Sequence, residues 1–291
     1  MMVTIVFAGL FFTTAAAAAP GAKHHRLQAT VAQNAWQLRT PQDSEGVPYY
    51  LFIPQEVDSK APPLITIHGI SRRADEHFAA FKSRAERGGR VLIAPLFTDA
   101  GCRRYQQVIL DRCRADRALF ATLREISAAT GINVDRFDLF GFSGGAQFAH
   151  RFALLHPRRV IRLAVASAGW YTLPDETEPY PYGLAPPSRD RQRFTPKLED
   201  FLAIPTLVLV GEQDIERDAT LRKERRVDQH QGLTRLERGA RWSQALRRAA
   251  AANDVTAKIR FQALPGCGHS FEDCVRDGRL VETVMAWFTG S

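Results

Sequence analysis

The chain has 291 residues, of which 45% are hydrophobic and 24% charged, ordinary globular usage that excludes disorder, collagen and coiled coil. Lys and Arg exceed Asp and Glu by 39 to 31, a net charge of +8. The densest basic stretch, Arg217 to Arg248, also holds Asp218, Glu224, Asp228 and Glu237. It reads as the solvated face of helices, and no nucleic-acid motif accompanies it.

Residues 1–22 carry no charged side chain, and Val3 to Ala19 is one apolar run ending in small residues. A cut after Ala18 makes residues 1–18 a signal peptide, which points to a secreted or periplasmic protein with no stable membrane insertion after cleavage. The first cations, Lys23 and Arg26, follow the apolar run instead of preceding it, so an uncleaved anchor or a misplaced start codon stays as the alternative.

From there the pattern alternates strand and helix. Thr30 to Leu38 and Tyr49 to Pro54 read as early strands. Pro63 to His68 (PLITIH) and Val91 to Ala94 are short apolar runs stopped by Gly69 and Pro95, as in buried parallel strands. Helices are expected over Ala74 to Arg87 and Asp111 to Thr130, the second with Ala115, Leu119, Leu123 and Ile126 on one face and Gly131 as its stop. Phe137 to Gly141 is a strand and Gly145 to His156 a helix. Val160 to Ser167, Thr206 to Val210 and Lys258 to Leu264 are further strands, and Phe271 to Phe288 is the last helix. This alternation implies a mostly parallel sheet covered on both faces. Between Trp170 and Asp200 lies an irregular stretch rich in Pro, Tyr and Phe, which reads as a functional loop or lid. No linker divides residues 29–291, so they form one domain.

The four cysteines are Cys102, Cys113, Cys267 and Cys274. In an exported chain an even number suggests two disulfides. Each sequence-local pair sits within a single connection, so the expected bridges are Cys102–Cys113 and Cys267–Cys274. No CxxC or HxxxH spacing marks a metal site.

Four short motifs carry chemistry. Gly141-Phe142-Ser143-Gly144-Gly145 is a G-x-S-x-G between an expected strand and helix. A sharp turn with Ser143 at its tip needs glycines at 141 and 145, and the helix start aims free N–H groups at the site. A serine hydroxyl needs a base. Of the eight histidines only His269 sits just after the expected last strand. His24, His25, His77, His150, His156 and His230 read as surface or satisfied core residues. The base needs a carboxylate, and the turn after Thr206 to Gly211 supplies Asp214, with Glu212 and Asp218 as rivals. His68-Gly69-Ile70-Ser71 follows the strand at Ile65–Ile67. The N–H groups of Ile70 and Gly144 then suit an oxyanion hole, with His68 shaping the loop.

The order Ser143, Asp214, His269, with the elbow and the His68-Gly69 loop, resembles the α/β-hydrolase superfamily of serine-esterase type. Within it the chain is similar to the branches near polyhydroxybutyrate depolymerases, feruloyl esterases and dienelactone-hydrolase-like proteins. It departs from true dienelactone hydrolases in having Ser143 for Cys, and it lacks the HGGG loop of hormone-sensitive-lipase relatives. The resemblance implies an α/β-hydrolase fold with a lid-like insertion at 170–200. It also implies a secreted or periplasmic serine hydrolase that cleaves small-molecule or polymeric carboxylic esters through an acyl-enzyme. No cofactor, metal or nucleic acid is implied. Trp170, Tyr171 and Tyr182 are the expected substrate contacts. A peptidase or acyltransferase on the same triad is the alternative, and a non-catalytic binding protein would show a broken triad. The sequence does not fix the oligomeric state.

Overall fold

In the computed structural model, which describes residues 37–110, 113–187 and 194–290, the chain builds a seven-stranded sheet. The strands are β1 (Tyr49–Phe52), β2 (Leu64–Ile67), β3 (Leu92–Pro95), β4 (Phe137–Phe142), β5 (Val160–Ala166), β6 (Thr206–Gly211) and β7 (Ile259–Leu264). Their spatial order is β1-β3-β2-β4-β5-β6-β7, with β1 antiparallel to β3 and every other pair parallel. The helices are α1 (Ala74–Arg87), α2 (Ala115–Thr130), α3 (Gly144–Leu155), α4 (Leu198–Leu202), α5 (Arg225–Gln231), α6 (Arg235–Ala252), α7 (Phe271–Arg276) and α8 (Leu280–Thr289).

The strands β2, β3, β4 and β6 are buried throughout, which is why they lack polar alternation, whereas the edge strand β7 is half-exposed and alternates apolar residues with Arg260 and Gln262. The period of two sends Ile65, Ile67, Leu139 and Val165 to one face, where they pack with α2, α3 and α6. Leu64, Phe140, Ala164 and Leu209 point to the other and meet Phe78 and Phe81 of α1 and Val284 and Phe288 of α8. The sheet is thus covered on both sides, as expected, and all its parallel strands end on one edge.

Several boundaries differ from expectation. α2 begins at Ala115 instead of Asp111, because the Cys102–Cys113 disulfide and a 3-10 turn at Tyr105–Gln107 hold the chain before it. Its end is as expected, with Gly131 left-handed at φ 74°. The single helix expected over Phe271 to Phe288 is two, α7 and α8, with Arg279 at φ 53° between them. The strand expected over Thr30 to Leu38 lies outside the described residues except for its last two positions, and so do the signal segment, His24 and His25. The basic stretch is not wholly a solvated face: Arg235 and Arg238 of α6 are buried. Arg238 bonds the carbonyls of Gly232 and Arg222 at 2.9 Å and Asp228 at 2.7 Å, which ties α6 to the loops below it.

Candidate active site

Ser143 sits between β4 and α3 with φ 53° and ψ −113°, a strained conformation for a residue with a side chain. The turn closes only without side chains beside it. A Cβ on Gly141 would lie 2.2 Å from the Gly145 carbonyl oxygen, and one on Gly145 would lie 2.0 Å from that of Ile67. The serine N–H is anchored to the Ala166 carbonyl at 2.8 Å. The tip therefore stands above the strand ends, at the start of α3.

His269 reaches this tip from the loop after β7, with Nε2 at 3.0 Å from Ser143 Oγ. The loop is held against the turn after β6, where the Gln213 N–H donates to the Cys267 carbonyl at 3.0 Å. His269 Nδ1 lies 2.8 Å from Asp214 Oδ2, so the ring is oriented between carboxylate and hydroxyl. Asp214 is buried, and its other oxygen accepts from Arg235 at 3.3 Å. The rival Asp218 lies beyond Arg235, which donates to it at 2.7 Å. Hydrogen bonds from Arg235 hold the Asp218 carboxyl well below the usual range, ahead of the opposing effect of burial. Glu212 is exposed. Arg235 is a part of the site that the sequence reading missed, since an arginine in a basic helical stretch gives no sign of burial.

The N–H groups of Ile70 and Gly144 have no acceptor among the described residues. They are close neighbours: a Cβ on Gly144 would lie 3.3 Å from the Ile70 nitrogen. Two free donors beside a serine at a helix N-terminus suit a developing oxyanion. His68 fixes their loop. Its Nδ1 donates to the Gly69 carbonyl at 2.7 Å, and its Nε2 accepts from the Phe97 N–H at 3.0 Å. Burial pushes it down to about 4, so it is neutral and shapes the loop instead of serving as a base.

The cleft over Ser143 is about 290 Å³ and is lined by Ile70, His77, Phe142, Thr220, His269 and Phe271 among others. Larger hollows beside α8 (about 440 Å³) and α2 (about 520 Å³) hold no triad residue. None of the three expected aromatic contacts lines the cleft. Trp170 is buried between the guanidinium groups of Arg151 and Arg222, at 4.1 and 4.6 Å from the ring centre. Tyr171 stacks on Trp242 at 4.5 Å, and Tyr182 bonds Glu224 at 2.6 Å. Trp170 and Tyr171 pack inward, because such large apolar surfaces gain more from the core than from a rim, while Tyr182 stays half-buried. His77, read from sequence as a surface or satisfied core residue, is buried and paired with Thr66, and it also lines the cleft. The available signal was a lone Thr in the apolar strand LITI, which needs a polar partner from α1.

The cysteines also differ in part. Cys102 and Cys113 are bridged, but Cys267 and Cys274 are free buried thiols. Cys267 donates to the Leu264 carbonyl at 3.9 Å, and Cys274 to that of Gly268 at 3.5 Å. These bonds hold the His269 loop on α7 without a covalent link. Burial pushes both thiols up, which suppresses the reactive thiolate.

No family model and no curated protein matches the sequence. Solved structures do match. Poly(aspartic acid) hydrolase-1 from Sphingomonas sp. KT-1 superposes with a TM-score of 0.71 at 26% identity, over 86% of this chain and 97% of that one. A poly(3-hydroxybutyrate) depolymerase from Bordetella parapertussis gives 0.70 at 24% identity, over 91% and 94%. An S-formylglutathione hydrolase from Agrobacterium tumefaciens gives 0.54 at 14% identity, over 87% and 93%.

Proposed function

We propose, on the α/β-hydrolase fold that this chain shares with those structures, that it is a serine hydrolase of carboxylic esters. The observation that carries the reading is the relay from Ser143 through His269 to Asp214, with contacts of 3.0 and 2.8 Å, beside two N–H groups that have no acceptor among the described residues. Ser143 Oγ attacks the ester carbonyl while His269 Nε2 takes its proton. Asp214 keeps the Nδ1–H tautomer and stabilises the imidazolium. The N–H groups of Ile70 and Gly144 hold the oxyanion. His269 then protonates the departing alcohol, and water, activated by the same ring, cleaves the acyl-enzyme.

A fluorophosphonate probe tests this directly. It labels Ser143, and Ser143→Ala abolishes both labelling and ester turnover while the fold persists. Labelling that survives the substitution refutes the assignment. The likeness to a hydrolase named for poly(aspartic acid), a chain of amides, favours amide cleavage as a second reading. Parallel turnover of an aryl ester and the matching anilide separates the two. Export through residues 1–18 is supported by the Cys102–Cys113 bridge, which forms in oxidising compartments. N-terminal sequencing of the exported protein tests the cut after Ala18.

A further inference from the structure

Three histidines are fully buried near the sheet, and they differ in one respect. His68 engages both ring nitrogens, with the Gly69 carbonyl and the Phe97 N–H. His150 does the same, with the Ala146 carbonyl and the Thr172 N–H. His77 engages only Nδ1, at 2.9 Å from Thr66 Oγ1. Its Nε2 has no partner among the described residues, although the residue is only 2% exposed and lines the cleft over Ser143. That nitrogen is not one of the fully enclosed unpaired polar atoms, so its open position reaches the cleft, where water or a bound group can pair it.

The tautomer follows from the partner. The Thr66 hydroxyl has no other partner among the described residues, so its proton goes to Nδ1. Burial, reinforced by nearby His68, holds the His77 ring well below the usual histidine range and therefore neutral. The single ring proton is then on Nε2. The ring cannot swing away, because it stacks on Phe271 at 3.9 Å and 6°.

The cleft's position says which part of a substrate meets this donor. The departing alcohol takes its proton from His269 Nε2, so it lies on the His269 side of Ser143. His77 stacks on Phe271, two residues after His269, and all three line the same cleft. Glu76, 3.1 Å from Arg73, and Glu272 also line it, so an anionic alcohol portion would meet like charge.

We propose that His77 is a specificity-determining residue of this cleft, donating from Nε2 to a neutral acceptor oxygen, an ether or carbonyl, in the alcohol portion of the ester. The proposal rests on the ester-hydrolase reading above. It predicts a preference for esters of oxygen-bearing alcohols over their all-carbon isosteres.

The test compares kcat/KM for 2-methoxyethyl acetate and n-butyl acetate, which differ by one oxygen in place of a methylene. The intrinsic reactivity difference cancels when the ratio is compared between variants. His77→Phe keeps the ring and its stack but has no nitrogen, and the ratio falls about threefold to tenfold, the range for one neutral hydrogen bond. His77→Gln, which restores a donor, recovers most of it. Thr66→Val, nearly isosteric, leaves His77 in place without its tautomer partner, and the ratio falls again. Thr66→Ser retains it. Fluorophosphonate labelling of Ser143 in each variant reports an intact fold and triad. An unchanged ratio in labelled His77→Phe and Thr66→Val overturns the proposal while the hydrolase reading stands. A wild-type protein that is neither labelled nor active overturns both.

Discussion

Gly145→Ala puts the geometry of the elbow under the most direct strain. The added Cβ would sit 2.0 Å from the Ile67 carbonyl oxygen and 2.6 Å from that of His68, where real Cβ contacts are not under 3.0 Å. Both obstacles are backbone, so α3 must move away from the end of β2 by about 1 Å, the least that relieves the closer contact. That motion separates the two oxyanion donors, since Gly144 travels with α3 and Ile70 stays with β2. It also carries Ser143 away from His269. A displacement of about 1 Å costs roughly a hundredfold in rate, so kcat falls by about that factor. Overpacking also costs about 1–3 kcal/mol, which at about 2–4 °C per kcal/mol lowers Tm by several degrees. The assay is steady-state ester turnover well below the melting transition, normalised to folded protein. Gly169→Ala is the control, because its Cβ would meet only the movable Gln147 side-chain amide at 3.3 Å. Wild-type kcat and Tm in Gly145→Ala would refute the reasoning.

Asp214→Asn lowers kcat by about four orders of magnitude by favouring the wrong His269 tautomer, whereas Asp218→Asn leaves it near wild type; kinetics on the two variants that rank them the other way make Asp218 the acid. A thiol reagent finds no reactive group in the native protein and two per chain, Cys267 and Cys274, after unfolding; no thiol after unfolding means the pair is bridged. Reducing Cys102–Cys113, a separation of 11 residues, removes about 2.8 kcal/mol on the chain-entropy estimate, read from denaturant midpoints. Asp116 is buried, and burial alone would raise it, but hydrogen bonds from His156 and Arg114 bring it down to about 2. A carboxyl depressed in the fold stabilises above its unfolded value and loses that contribution as pH falls through its folded one. Asp116→Asn therefore costs about 2 kcal/mol near neutrality, and the gap to wild type closes between about pH 4 and pH 2. A gap independent of pH in denaturant titrations contradicts that pairing.

Much of the scaffold was legible because buried parallel strands and amphipathic helices write their periods directly. Ala74–Arg87 has the expected bounds, and each sheet strand within the described residues falls within a residue or two of its run. The juxtaposition of Ser143, His269 and Asp214 was legible because the roles proposed for them need a strand end, a glycine turn and a fixed order. What failed depended on facing and distance. Alternating charges on Arg217 to Arg248 look solvated, yet Arg235 turns inward because Asp214 and Asp218 supply the counter-charge at the end of β6. The spacing of Cys267 and Cys274 fits a bridge as well as it fits two thiols, since only the three-dimensional path decides. The tyrosines and tryptophan of the insertion suit a pocket wall by type, and their packing on Arg151, Arg222 and Trp242 is a tertiary fact.

Ser143 and His269 stand 126 residues apart, and the base hangs from β7, which pairs with β6 alone. On the serine-hydrolase reading proposed above, synthesis delivers Ser143 well before the base that activates it. A ribosome that has released β4, β5 and β6 has then made a serine turn with nothing to remove its proton. Fragments cut short before the seventh strand are chemically silent however well they pack, and the appearance of activity during refolding is a clock for that strand's arrival.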